Sequence, residues 1–128
     1  MLYFHHMNKT EIQLRTKKFN INIILFCNCL PKTAAGFEIA KQLIRSAGSA
    51  GANYRATNRS KSEAAFAYKL KIVLEEIDES HYWLEIIKES QLSSDKNINR
   101  LIQDVNEPTA IFAAANKTFD LKNRQQKK

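Results

Sequence analysis

Glycine and proline are scarce in this chain, with three glycines and two prolines in 128 residues. A β-sandwich or barrel turns roughly every eight to twelve residues and relies on these two residue types to do so. Alternating βαβ architecture is disfavoured as well, because its short apolar runs are joined by glycine-rich turns. Cysteine is scarcer still, with only Cys27 and Cys29 in the order Cys-Asn-Cys. On a helix, residues two apart point roughly 200° away from each other, so this pair neither bridges nor chelates together. His5, His6 and His81 complete no metal-ligand spacing with them. Both thiols are expected to be free and buried in a reducing cytosol. Long hydrophobic runs are missing too. The longest, Phe19 to Leu30, is twelve residues and holds three asparagines, too short and too polar to span a bilayer. The opening Met-Leu-Tyr-Phe-His-His has neither the basic start nor the apolar run of a signal peptide. A cytoplasmic protein without membrane contact is therefore expected, with Met7 as its natural start.

What remains is an ordinary globular composition, 44% hydrophobic and 26% charged, which points to helices in a single domain. Net charge is +7, which permits a polyanionic partner without demanding one.

Four amphipathic helices are legible. The first runs from about Glu11 to Leu30, opened by a Thr10–Gln13 capping box and ended by Pro31, with Ile12, Thr16, Phe19, Ile23, Phe26 and Leu30 on one face. Alternation over Phe19–Ile23 also fits a strand, but no second strand pattern exists to pair with it. The second runs from about Ala34 to Ala56 with Phe37, Ala40, Leu43, Ile44, Ala47, Gly51 and Tyr54 as its stripe. Its middle, Ser46 to Ala52, has no large side chain, and two glycines inside a helix cost about 1 kcal/mol each relative to alanine. Either a neighbouring backbone approaches closely there or Gly48–Gly51 is a loop. A phosphate-binding loop is excluded, since no Gly-Lys-Ser or Gly-Lys-Thr follows and no strand precedes.

The third helix starts at a Ser60–Glu63 capping box and continues to about Ser90. Phe66, Leu70, Val73, Ile77, Ser80, Leu84 and Ile87 form its main stripe, and Ala65, Tyr68, Ile72, Trp83 and Ile86, with Glu79 among them, form a second stripe nearly opposite. Two apolar faces on one helix, with a small-residue outer face on the second helix (Ser46, Ser49, Ala52 and Ala56), imply a surface beyond the bundle core. The fourth runs from about Asp95 to Leu121 through Ile98, Leu101, Ile102, Val105, Thr109, Phe112, Asn116 and Phe119, with a kink or break expected at Pro108. The fold expected is all-α, an up-down-up-down antiparallel four-helix bundle that assembles into a cyclic homo-oligomer. Residues 1–9 are expected to be a disordered leader, 10–121 the bundle and 122–128 a basic flexible tail.

Two segments go beyond a generic helix pattern: Leu43-x-Arg45-Ser46-x-x-Ser49-x-Gly51-Ala52-Asn53, and Lys69-Leu70 followed by Glu79-x-x-Tyr82-Trp83-Leu84. With Leu30-Pro31-Lys32 and Thr109-Ala-Ile-Phe112 beside them, they resemble the four helix bundle protein family, also called the 23S rRNA-intervening-sequence protein family, over about residues 9–120. The resemblance implies a four-helix bundle. It extends to the accessory proteins of diversity-generating retroelements, basic homopentamers that associate with reverse transcriptase and nucleic acid, so a homopentamer is the favoured assembly on that ground alone. Members carry no established activity.

Catalysis finds little support in the residues. Cys27 has no histidine on its predicted face, and the nearest approach to a di-metal motif, Asp78-Glu-Ser-His81, occurs once where two copies are needed. No enzyme, cofactor or metal is expected. Arg45, Asn53, Lys69, Glu76 and Glu79 lie beside or within apolar stripes, where lone charges are costly, so pairing across the second and third helices is expected. Ser49, Gly51, Tyr82 and Trp83 complete this structural or interface set. The other reading of Arg45 and Lys69 is contact with an anionic ligand.

Charge is segregated along the chain. Seven Lys or Arg stand against Glu63 alone between Lys41 and Lys71, and six acids stand against Lys88 alone between Glu75 and Glu89. This is the reverse of what the macrodipole of the third helix favours. Lys41, Arg45, Arg55, Arg59 and Lys61 are thus the candidate contacts for RNA or DNA, with Tyr54 and Tyr68 as nearby aromatics. The alternative is a protein-partner adapter or scaffold that binds no nucleic acid.

Overall fold

Local hydrogen bonds fix both ends of the two longest helices among the described residues. The structure, a computed structural model, describes residues 9–106. Helix α1 spans Lys9–Cys27, α2 Ala34–Thr57 and α3 Glu63–Glu89, and a fourth helix, α4, occupies residues 97–106. Among the described residues there is no strand. The reach of α4 beyond residue 106, the kink expected at Pro108, the leader before Lys9 and the basic tail lie outside the described residues.

Thr33 caps α2, its hydroxyl accepting the N–H of Gly36 at 3.1 Å. Gly36 is obligatory there, because a Cβ would fall 1.8 Å from the carbonyl oxygen of Pro31. Ser62, in extended backbone, caps α3 by accepting from Ala65 N–H at 3.1 Å. The cap is thus Ser62 and not the expected Ser60, whose own N–H bonds Thr57 in the preceding turn. The Thr10–Gln13 box is not used either. Lys9 is already helical, and the Gln13 side-chain Oε1 instead accepts from the Asn58 side-chain amide across the helix pair at 3.0 Å.

At its far end α3 closes with a Schellman motif. Leu92 N–H bonds Ile87 at 3.1 Å, Gln91 N–H bonds Lys88 at 3.2 Å, and Gln91 takes the left-handed conformation with φ 57°. Helix α1 stops at Cys27, three residues before the expected limit, and tighter turns carry the chain to Leu30. That early stop keeps Cys27 and Leu30 buried but turns Cys29 out to solvent, correcting the expectation of two buried thiols. No helix among the described residues is long and apolar enough to cross a membrane.

The predicted stripes of α1 and α3 form the core. Phe19, Ile23, Phe26 and Leu30 pack with Leu70, Val73, Ile77, Leu84 and Ile87, and Ile98, Leu101 and Val105 of α4 close the cluster. Helix α2 departs from its predicted stripe. Its buried arc is Leu43, Ser46, Ala47, Ala50, Tyr54 and Thr57, so Phe37, roughly 130° from the middle of that arc, is 64% exposed. Ser46, assigned to an outer face with Ser49, Ala52 and Ala56, is fully buried and hydrogen-bonded to Ser80 of α3 at 2.8 Å. The glycine-rich stretch is continuous helix, not a loop. A Cβ on Gly51 would stand 3.7 Å from the Thr16 carbonyl oxygen and one on Gly48 3.8 Å from the Asn20 amide, so α1 crosses α2 closely at these positions.

Candidate functional site

The segregated charge of the sequence becomes two differently built regions of the structure. Around the acidic half of α3, Glu76, Glu79 and Glu85 are tied to other side chains. Arg45 of α2 donates to Glu76 at 3.2 Å and to Glu79, and Glu79 also accepts from the Trp83 indole at 3.4 Å. The hydrogen bond from Arg45 to Glu79, with Glu76 adding its charge, raises the guanidinium above its ordinary pKa. Trp83 is half-buried against the core and stacks edge-on with Tyr82, ring centroids 5.1 Å apart. His81 bridges to Glu85 at 3.0 Å.

Around the α2–α3 turn, charges stand free. Arg55, Arg59 and Lys61 are exposed and make no ion pair among the described residues. Asn58 of this turn holds Gln13 of α1, and Lys9 lies over the Phe66 ring at 5.6 Å, so the first turns of α1 join the same region. Lys71, on the third turn of α3, is exposed too.

Of the five candidate nucleic-acid contacts, the structure brings together three. Lys41 is exposed but lies fourteen residues before Arg55 on α2, about 21 Å along the axis. Arg45 is engaged by Glu76 and Glu79 and is no free cation. Tyr54 is buried in the core and leaves the surface to Tyr68, which is 67% exposed.

Among the other motif residues, Asn53 bonds the Ser49 carbonyl at 2.9 Å and its hydroxyl at 3.0 Å within α2, and Lys69, half-buried, makes no ion pair among the described residues. Glu63 in the first turn of α3 and Lys88 in its last turn suit the macrodipole. Because that field acts mainly within the terminal turns, the reversed polarity of the helix body carries little penalty.

Burial pushes the Cys27 thiol up to about 11, so it is inert as a nucleophile near neutral pH. Among the described residues no group of three or more metal-ligating side chains converges. Sequence reasoning missed a cleft of about 380 Å3 between α1 and the start of α4, lined by Lys18, Asn22, Leu25 and Cys29 on one side and Asp95, Asn97, Arg100 and Asp104 on the other. Its charges of both signs lie on two helices with no shared sequence pattern, so no motif could have announced it.

The family model of the 23S rRNA-intervening sequence protein matches residues 8–114. In three dimensions the chain is similar to a protein of unknown function from the S23 ribosomal protein family of Bacteroides thetaiotaomicron VPI-5482, with a TM-score of 0.78 and 27% identity. That match covers 87% of this chain and 99% of the other. Among curated proteins none matches.

Proposed function

The chain belongs to the 23S rRNA-intervening sequence protein family, and from the distribution of its charges we propose that it is a non-catalytic, oligomeric helical-bundle protein that binds RNA or DNA electrostatically through the α2–α3 turn. The observation that carries this reading is the contrast between the two ends of α3. Glu76, Glu79 and Glu85 toward one end are engaged by Arg45, Trp83 and His81, whereas Arg55 in the last turn of α2 and Arg59 and Lys61 in the turn before the other end are exposed and unpaired among the described residues. Clustered cations without counter-charges recruit phosphates by counterion release and read no sequence.

The bundle is up-down-up-down and antiparallel. Supporting this are the pairings of α1 with α2, Gln13 with Asn58, Thr16 with Gly51 and Asn20 with Gly48, which run in opposite directions along the two helices. It assembles as a cyclic homo-oligomer, favoured as a pentamer by the family resemblance, and acts in the cytoplasm. Support for assembly comes from large apolar side chains left at the surface, including Leu14, Leu25 and Phe37. A ring repeats the basic turn and multiplies its avidity.

A gel-shift titration of labelled RNA and DNA at low and physiological salt tests the reading. Binding is expected to be sequence-tolerant, to weaken steeply with salt, and to be lost in an Arg55/Arg59/Lys61 triple-alanine variant. A triple variant that binds as well as the parent removes the turn as the site. No binding of either nucleic acid at low salt favours a protein-partner adapter, for which the same exposed apolar side chains speak.

A further inference from the structure

We propose that the α2–α3 turn selects single strands over duplex, with the ring of Tyr68 as the platform on which an unpaired base stacks; this rests on the nucleic-acid reading above. Tyr68 is 67% exposed on the second turn of α3. The positions one turn before it on the same face, Ala64 and Ala65, are exposed and carry only methyl groups, so nothing large shields that side of the ring. Cations flank it along the helix. Lys71, exposed, lies three residues further on, and Arg59 and Lys61, also exposed, lie just ahead of the Ser62 cap. An exposed aromatic ring with exposed cations before and after it in the chain is the combination used by single-strand binders: the cations follow the backbone and the ring takes a base. Duplex nucleic acid engages the cations equally well but keeps its base faces inside the stack, out of reach of a side chain standing on a helix surface.

Tyr82 is an internal control. It sits fourteen residues further along α3, roughly 40° round from Tyr68, and is 54% exposed. Its surroundings are Asp78, Glu79, Glu85 and Glu89, and its ring is already stacked edge-on with Trp83. A phosphate backbone is repelled there. Exposure of a tyrosine is common to both sites, and the cations belong to one.

The test is fluorescence anisotropy with a labelled single strand of about twenty nucleotides, long enough for one site, and with the same strand annealed to its complement. Tyr68→Ala is expected to weaken single-strand binding about 5- to 150-fold, the range set by the loss of one base–aromatic stack, and to leave duplex binding within about twofold. Tyr68→Phe keeps the ring and is expected to bind like the parent, as is Tyr82→Ala. Equal losses on both probes, no loss on either, or failure of Tyr68→Phe to retain binding each overturn the proposal. So does a change of oligomeric state of Tyr68→Ala in light scattering, which makes the ring an interface residue. The triple-alanine variant separates the two levels. If it loses both probes while Tyr68→Ala loses neither, electrostatic binding stands and single-strand selection falls; if it loses neither, the electrostatic reading itself falls.

Discussion

Tyr68 and Tyr82 stand on nearly the same side of one helix, about 21 Å apart, yet the two ends of α3 are built on opposite terms. At the Tyr82 end Glu76, Glu79 and Glu85 are engaged by neighbouring side chains: Arg45 to Glu76 and Glu79, Trp83 to Glu79, His81 to Glu85, with the Ser46–Ser80 pair buried between the same two helices. At the Tyr68 end Arg59, Lys61 and Lys71 face solvent and are unpaired among the described residues. The acidic end therefore uses its polar groups to fix how α2 sits on α3. The basic end leaves its polar groups available to something outside the chain. One helix thus carries a structural half and an interaction half, and substitutions should sort by which half they fall in.

The largest expected effect breaks the structural half. Leu84, fully buried in the core, loses three carbons in Leu84→Ala, which should cost about 2–5 kcal/mol in chemical denaturation. Tyr68→Ala, at an exposed site, should stay within about 0.5 kcal/mol. Comparable costs for the two would mean that the ends do not differ in the way described. Trp83→Ala falls between them, since the indole is half-buried and not fully enclosed.

Alkaline pH acts on the buried thiol of α1. Burial raises Cys27 from 9.0 to about 11, so between these values the unfolded chain gives up a proton that the folded chain keeps. Folding stability should accordingly be at full value below about pH 9 and fall as pH rises toward 11. A Cys27→Ala variant should show less of this decline. In the parent protein a thiol-alkylating reagent near pH 8 should label the exposed Cys29 and spare Cys27.

A smaller effect comes from the cross-helix charge network. Arg45→Ala leaves Glu76 and Glu79 without their cation, but the side chain is about half exposed, so solvent screens the pair. The expected loss is about 0.5–1 kcal/mol at low salt and less at high salt. A loss that ignores salt would mean that Arg45 acts by packing and not by charge.

How far these halves were legible in the sequence depended on side-chain size. In α1 and α3 the periodic positions hold Phe, Ile, Leu and Val, and the stripe read from them is the stripe that is buried. Helix α2 offers little contrast between its faces, because Ser46, Ala47, Ser49, Ala50 and Ala52 are all small. The buried arc therefore lies away from Phe37, with Ser46 inside it and not on the outer face that the sequence predicts. Pairing of Arg45 with Glu76 and Glu79 was legible, since charges beside apolar stripes need partners. That Asn53 would instead bond within its own helix was not, because an amide satisfies itself equally well with a residue four back. The basic turn was visible as a run of unbalanced charge. Which member of it stays free is a three-dimensional property: Arg45 looked like the others until the acids of α3 were placed beside it.

The smallest effect sharpens the interaction half. Arg59 and Lys61 lie within the turn between α2 and α3, exposed, close to each other in sequence and unpaired among the described residues. Replacing both by alanine removes mutual repulsion and breaks no described ion pair. It also removes two positive charges just before the N-terminus of α3, where the helix field favours negative ones. Both terms act in the same direction, so the double variant should be as stable as the parent or more so, by no more than about 0.5 kcal/mol. The gain should fade as salt is raised past physiological strength, where the Debye length is about 8 Å. A loss of more than 1 kcal/mol in thermal or chemical unfolding would show that these cations hold the turn together, and the α2–α3 turn would then belong to the structural half of the molecule.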